Sequence, residues 1–385
     1  MDDFPAGPAS PGLRRLPLSV VVPVFNGGHG FERCLRGLRS NQGVDFEIVV
    51  VDDGSTDASS RVATAYGARV IRNETPRGPA SARNAGAEAA RAPIVFFLDA
   101  DVVPHADTLA KVIARFDADP GLAALFGSYD DQPDAPGLVS RYRNLLHHYV
   151  HQQGDFVDDA RPAHTFWTGC GAIRREVFLE IGGFDPALYR RPAIEDIELG
   201  YRLSRAGHRV ALCRDVQATH LKRWTLRSVI RTDIFCRGVP WMLLMLRSRT
   251  AETDLNVSRS QRASVALTGM AIASSPAVVK SPIGAMVPIA CLLAIAYLNR
   301  DFYSFLSRVR GRMFAVASFP LHLLYFVCCG LSVAIAMGIK MTPRRQPERL
   351  PSTTHRAEPG TPHVPPPRTT TSIPSREPTQ WTDRP

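Results

Sequence analysis

The run Ile94-Val95-Phe96-Phe97-Leu98, ending in Asp99-Ala100-Asp101, constrains this chain more than any other feature. Five consecutive apolar residues between Pro93 and Pro104 predict a strand buried on both faces, which requires helices packed on each side of its sheet. Residues i and i+2 of an extended segment point the same way, so both acids can converge on one divalent cation. Ligands of α/β sheets bind at the carboxyl ends of strands, where paired hard oxygens suit Mg²⁺ or Mn²⁺ and phosphate completes the shell. Two acids in a loop are by default solvated turn residues. The pair therefore takes its meaning from its neighbours.

Two further apolar strands precede it. Leu18 to Phe25 runs into Asn26-Gly27-Gly28, and Phe46 to Val51 ends in Asp52-Asp53-Gly54-Ser55-Thr56-Asp57. Helices are expected at roughly 30–40, 57–66 and 79–91, giving the β-α-β-α-β order of a parallel, doubly wound sheet. Asp52, Asp53, Asp99 and Asp101 then line one cleft, while Asp57 reads as a helix cap. Arg83, on a helix of small residues, offers a planar fork of donors to phosphate.

The segments Val21-Val22-Pro23-Val24-Phe25-Asn26, Val51 to Asp57, Ala82-Arg83-Asn84-Ala85-Gly86 and Leu98-Asp99-Ala100-Asp101 resemble the family 2 glycosyltransferases in order and spacing. Members have the GT-A fold, a Rossmann-like α/β architecture. The resemblance implies that Asp52 and Asp53 hold the base and ribose of a nucleotide sugar. Pro23, Phe25, Asn26, Arg83 and Asn84 complete that donor site, and Asp99 and Asp101 carry Mn²⁺ or Mg²⁺ against the diphosphate. In the helix from Ile194 to Leu203, Glu195 and Asp196 match the family's acidic motif, and Asp196 aligns with the general base. Acids in a first turn complement the helix dipole, which favours their ionised form. One base on the acceptor hydroxyl and one metal on the departing diphosphate make a minimal inverting mechanism.

Trp167 offers an apolar platform for a sugar, and the small residues around Cys170, Gly169 among them, permit close approach of a ligand. His147, His148 and His151 lie at helical spacing without the acids or thiols of a metal site. His220-Leu221-Lys222-Arg223-Trp224 resembles the Q-x-x-R-W signature of processive polysaccharide synthases, with His220 at the glutamine position. That departure favours transfer of a single hexosyl unit. It puts His220 near the metal, as a further candidate ligand, or near the diphosphate. Arg223, Arg231 and Arg237 either steady phosphate charge or bind anionic lipid.

Composition changes after about residue 250. Apolar stretches at 264–279, 283–298 and 314–339 follow, the last long enough to span a bilayer. The first two form either a hairpin broken at Lys280-Ser281-Pro282 or one kinked helix. Arg259 and Arg262 before them and Arg300, Arg308, Arg310 and Arg312 after them favour the hairpin by the positive-inside rule. The expected organisation is a catalytic domain over 17–250 (donor half 17–130, acceptor half 131–250) and a membrane region over 251–340. Disordered ends over 1–16 and 341–385 flank them. No apolar leader opens the chain, and the 7 cysteines form no C-x-x-C pair, which fits a reducing cytosol at a bacterial inner membrane. With apolar spans present, the net charge of +10 points to anionic lipid rather than nucleic acid. A lipid-linked or membrane-associated acceptor follows. The rivals are a processive synthase and a catalytically silent scaffold; a nicotinamide enzyme would want G-x-G-x-x-G after the first strand, which Asn26 to Gly30 lacks.

Overall fold

In the computed structural model the first half of the chain runs β1 (Leu18–Val24), α1 (Gly28–Arg39), β2 (Phe46–Asp52), α2 (Ser59–Ala65) and β3 (Arg69–Arg72). There follow α3 (Pro79–Ala89), β4 (Ile94–Leu98), β5 (Val102–Pro104) and α4 (Thr108–Ala118). Residues 16–248 and 258–342 are described. The expectations for 1–15 and 343–385 lie outside the described residues.

Uninterrupted apolar strands result from two cores on opposite faces of one sheet. Val20, Val22 and Val24 of β1 pack with Phe31, Leu35 and Leu38 of α1, whereas Val21 packs with Ala80 and Ala87 of α3 on the other side. β4 divides likewise, with Phe96 in the first core and Phe97 in the second. Helix α3 lies so close to β1 that a Cβ at Gly86 would sit 2.3 Å from Val21 Cγ1. The small residues of α3 are thus a packing requirement.

The second half adds β6 (Leu122–Tyr129), α5 (Leu138–His151), β7 (Ala160–Ala163), β8 (Cys170–Arg174) and α6 (Arg175–Glu180). It continues with α7 (Glu195–Arg205), β9 (Arg209–His220) and α8 (Leu226–Arg231). Strand order is β3-β2-β1-β4-β8-β6-β9-β5, with β7 paired to β9. The donor half is parallel, as the β-α-β pattern requires: β1 pairs parallel with β2 and β4, and β2 with β3. The acceptor half brings antiparallel strands into this otherwise parallel sheet. β8 runs antiparallel to β4 and β6, and β5 antiparallel to β9. Its chain enters β8 at the cleft end of the sheet, and this reversal builds the site.

Beyond β9 come a π-helix (Thr232–Gly238), α9 (Val239–Ser248), α10 (Arg259–Ser274), α11 (Ala277–Lys280), α12 (Met286–Leu298), α13 (Arg300–Arg310) and α14 (Arg312–Met341). Helices α10 and α12 form a hairpin, closed at its ends by Asn299, which donates to Ser264 Oγ (2.9 Å) and accepts from Gln261 (3.2 Å). Among the described residues, α14 is the one helix long and apolar enough to cross a membrane. Pro282–Leu298 with α13, bent by 65°, qualifies only as a broken pair. Helix α5 joins the two regions: Tyr142, Leu145 and Leu146 pack on Phe302, Leu306 and Phe326.

Candidate active site

Antiparallel register gathers residues that are distant in sequence. Cys170 opposes Leu98, so Trp167 and Thr168 flank the D-x-D, and Val102 opposes His220, so His220 lies beside Asp101. The Leu221 amide donates to the Asp101 carbonyl at 2.9 Å. Together with the start of α7 these residues surround a cavity of about 750 Å³. Asp99, Asp101, Arg83, Trp167, Glu195, Asp196, His220 and Trp224 all line it.

Asp196 faces this space with little to satisfy it. Its Oδ1 accepts from the Ile197 amide at 2.8 Å, but Oδ2 has only Thr168, at 3.3 Å from the amide and 3.4 Å from Oγ1. Burial first, and the neighbouring Glu195 charge second, push its carboxyl up to about 6, with Arg83 only partly offsetting them. Desolvation thus works against the helix dipole, yet at about 6 the acid remains ionised at neutral pH.

Glu195 and Arg83 do different work from that expected. Arg83 donates to Asp99 Oδ1 (2.7 Å) and to Glu195 Oε1 (2.8 Å), and Glu195 Oε2 accepts from the Ala193 amide (3.0 Å). Both side chains are buried. Both Glu195 oxygens are thus engaged, and Arg83 clamps the end of β4 to the start of α7. Burial lowers the Arg83 guanidinium, but Asp99 and Glu195 outweigh it and raise it above its ordinary value.

His220 stacks on Tyr129 with ring centroids 4.2 Å apart and planes 7° off parallel. Its Nδ1 meets Asn144 Oδ1 at 2.7 Å, and its Nε2 lies 3.5 Å from Asp101 Oδ2. Burial raises the Asp101 carboxyl, but His220 and Lys222 outweigh it and hold it below the usual value. Among the described residues no three His, Cys, Asp or Glu side chains form a ready-made metal cage. Two carboxylates and a neighbouring imidazole nevertheless suit Mg²⁺ or Mn²⁺, which bind through few protein ligands plus phosphate. Asp99, Asp101 and His220 fit such an ion.

The other expected donor residues do not line the cavity. Asp52 is closed: Oδ1 accepts from the Ser55 amide (2.8 Å) and Oδ2 from the Ser60 hydroxyl. Asp53 accepts from Asn73 (2.7 Å) and from the Arg77 and Gly78 amides (2.9 and 2.8 Å), which anchors the loop before α3. Asn26, at φ 51°, accepts from the Thr56 amide (2.8 Å), and Asn84 both donates to and accepts from the Phe184 backbone (2.8 and 2.9 Å). These four side chains lock loops together. Pro23 lies within β1, and Phe25 at its end is exposed. Asp57 accepts from the Ser59 and Gly28 amides, tying the starts of α2 and α1, one residue before the cap position of α2.

Gly169 is small for an internal reason, since a Cβ there would lie 2.3 Å from the Trp167 ring. His148 and His151 meet the Tyr129 and Gly127 carbonyls through Nδ1, at 2.6 and 2.9 Å. Arg223 is exposed away from the cavity, whereas Arg231 and Arg237 line it. Tyr129, Arg143 and Asn144 were not legible as site residues, because an aromatic or a helical Asn carries no signal until its neighbours are known. Arg143 pairs with Asp233 at 2.5 Å, both buried. Burial and Arg143 together pull the Arg237 guanidinium below its ordinary value.

Residues 19–182 match the family model for Glycosyl transferase family 2. This region is a family 2 glycosyltransferase domain. Its GT-A-like sheet carries Asp52, Asp53, Asp99 and Asp101 at its strand ends, and Glu195 and Asp196 follow on α7 beyond the matched residues. The chain is 30% identical over 234 residues to the pre-mycofactocin glycosyltransferase of Mycobacterium tuberculosis, covering 58% of this chain and 47% of that protein. It is 32% identical over 235 residues to the validoxylamine A glucosyltransferase of Streptomyces hygroscopicus, covering 53% and 52%. The chain spans about half the length of these curated relatives. A mannosyltransferase from Pyrobaculum calidifontis, solved with GDP-Man and Mn²⁺, overlays at a TM-score of 0.45 with 17% identity over 84% of this chain and 88% of that one.

Proposed function

We propose that the protein is an inverting, metal-dependent glycosyltransferase that moves one sugar from a nucleotide-diphosphate donor to a lipid-linked acceptor at a bacterial inner membrane. The observation that carries this reading is one cavity shared by Asp99, Asp101 and His220 on one wall and by Asp196 on another. The donor diphosphate lies toward Asp99 and Asp101, and its nucleoside against the loops that Asp52 and Asp53 anchor. Bound there, Mn²⁺ or Mg²⁺ would neutralise charge on the departing diphosphate. Asp196 accepts the proton of an acceptor hydroxyl as that oxygen bonds to the anomeric carbon. The sugar–phosphate bond breaks with its electron pair leaving on the nucleoside diphosphate, and a single displacement inverts the anomeric centre. Arg83 holds Asp99 and Glu195 in register through this step, and Trp167 supplies a flat apolar wall for a sugar ring.

The lipid acceptor is supported by α5, which packs the site against an apolar helical region, and by α14, whose Val316, Leu331 and Met337 are exposed. The test uses membranes carrying the full chain, Mn²⁺ and radiolabelled UDP-, GDP- and dTDP-sugars. Label from one donor entering the organic-extractable lipid fraction, and lost with chelator or in Asp196→Asn, is expected. Donor binding without lipid label from any donor would overturn the lipid acceptor.

A further inference from the structure

A second cavity, of about 480 Å³, lies between α9, α10 and α14, outside the site just described. It falls within the volume range of ordinary ligand pockets. Its walls are largely apolar: Met242, Met245, Val265, Ala266, Tyr325 and Val333 line it. Arg143, Arg237 and Trp241 line both cavities, so the two meet at one cationic junction. There Arg143 is committed to Asp233, while Arg237 makes no ion pair or hydrogen bond with the described residues. The π-helix that carries Arg237 is seated tightly on α14, since a Cβ at Gly238 would lie 2.2 Å from Ser332 Oγ. Helical bulges of this kind recur at functional sites. A catalytic cavity, an unpaired guanidinium and an apolar slot thus follow one another in space. That sequence matches an amphiphile's headgroup, phosphate and tail.

We infer that the second cavity holds the hydrocarbon chain of the acceptor, with its phosphate at Arg237 and a hydroxyl of its headgroup reaching Asp196. This rests on the lipid-acceptor reading and deepens it. Asp196 narrows the class further. A bare lipid phosphate would attack through an oxygen that is already deprotonated and needs no base, whereas a hydroxyl on a phosphate-linked headgroup does. The favoured acceptor is therefore a phosphate-linked glycolipid or a similar hydroxyl-bearing phospholipid.

The test is photolabelling of the full chain in detergent with an alkyl phosphate bearing a diazirine in mid-chain, followed by peptide mapping. Label is expected on α10 and α14 around Val265 and Val333. Unlabelled alkyl phosphate should displace it, the alcohol of equal chain length about tenfold less well, and inorganic phosphate not at all. Arg237→Ala should weaken labelling about tenfold, and Ala266→Trp, which fills the slot, should abolish it. Val333→Trp on the facing wall gives the same readout should Ala266→Trp fail to fold. Label spread along the exposed faces of α12 and α14 and indifferent to these variants would overturn the inference. Displacement by inorganic phosphate alone would also overturn it, leaving a free-phosphate site. Sugar transfer to lipid with variant-insensitive labelling sinks the cavity and spares the function. Slot labelling as expected, without lipid transfer from any donor, does the reverse.

Discussion

Two sets of aspartates end buried strands or begin helices in this molecule, and they have opposite fates. Asp52 and Asp53, at the end of β2, accept on both oxygens from backbone amides, the Ser60 hydroxyl and the Asn73 side chain. Asp101 and Asp196 face a cavity with few protein donors, and Asp99 gives one oxygen to Arg83. A filled carboxylate is a structural anchor. An open one is free to act as a ligand or a base, the roles the proposed mechanism gives Asp101 and Asp196. The difference teaches that an acid at a strand end is not assigned by its position alone. Its unfilled oxygens decide.

The sharpest way to break this comparison is Asp196→Asn. Removal of a general base costs about 10²–10⁴ in rate. The variant should lose transfer by that factor while holding donor within about threefold of wild type. Single-turnover kinetics beside donor titration would show it, and full activity would remove Asp196 from the mechanism.

Asp101→Asn should act differently, by weakening metal-dependent donor binding, on the order of 2 kcal/mol or about thirtyfold. Calorimetric titration of donor with and without Mn²⁺ checks this. Equal loss in both titrations would show that Asp101 holds the loop and not the ion.

Asp53→Asn tests the anchored set. One Asp53 oxygen takes two of its donors, which the Asn oxygen would keep, leaving the Gly78 amide facing an amide nitrogen at a cost of about 1–3 kcal/mol. Thermal unfolding should move down while the rate per folded molecule changes far less than in Asp196→Asn. A kcat loss as large as that of Asp196→Asn, with stability unchanged, would merge the two sets into one.

How far the sequence went follows the same division. Strands β1, β2 and β4 and helices α1 to α3 were legible because local alternation of apolar runs and small-residue helices dictates a parallel sheet. The acids at their ends were legible as a group. What was hidden depended on antiparallel register. No local pattern shows that Cys170 will oppose Leu98, or that Val102 will oppose His220, yet those pairings bring Thr168 to Asp196 and His220 to Asp101. Local bonding was hidden as well: nothing in the sequence shows that Asp52, Asn84 and Glu195 each hold backbone or side-chain partners. The apolar segments were visible as composition, and their flanking arginines already favoured the hairpin that the Asn299 bonds to α10 close.

The finest distinction lies within the open set, in the pH dependence of Asp196. A general base works ionised, and its pKa raised to about 6 places the acid limb of kcat/KM there. Activity should be full above that value and fall about tenfold for each pH unit below it. Glu195→Gln sharpens the point, because Glu195 raises the Asp196 carboxyl by its charge and also holds Arg83 on its own side. Neutralising it removes the repulsion and turns Arg83 toward the remaining anions. Both effects favour ionised Asp196, so the limb should move to lower pH, while removing the ion pair costs stability. A limb that stays in place would mean that burial alone sets this pKa. A limb that moves upward would mean that Arg83, released from its clamp, has left the site.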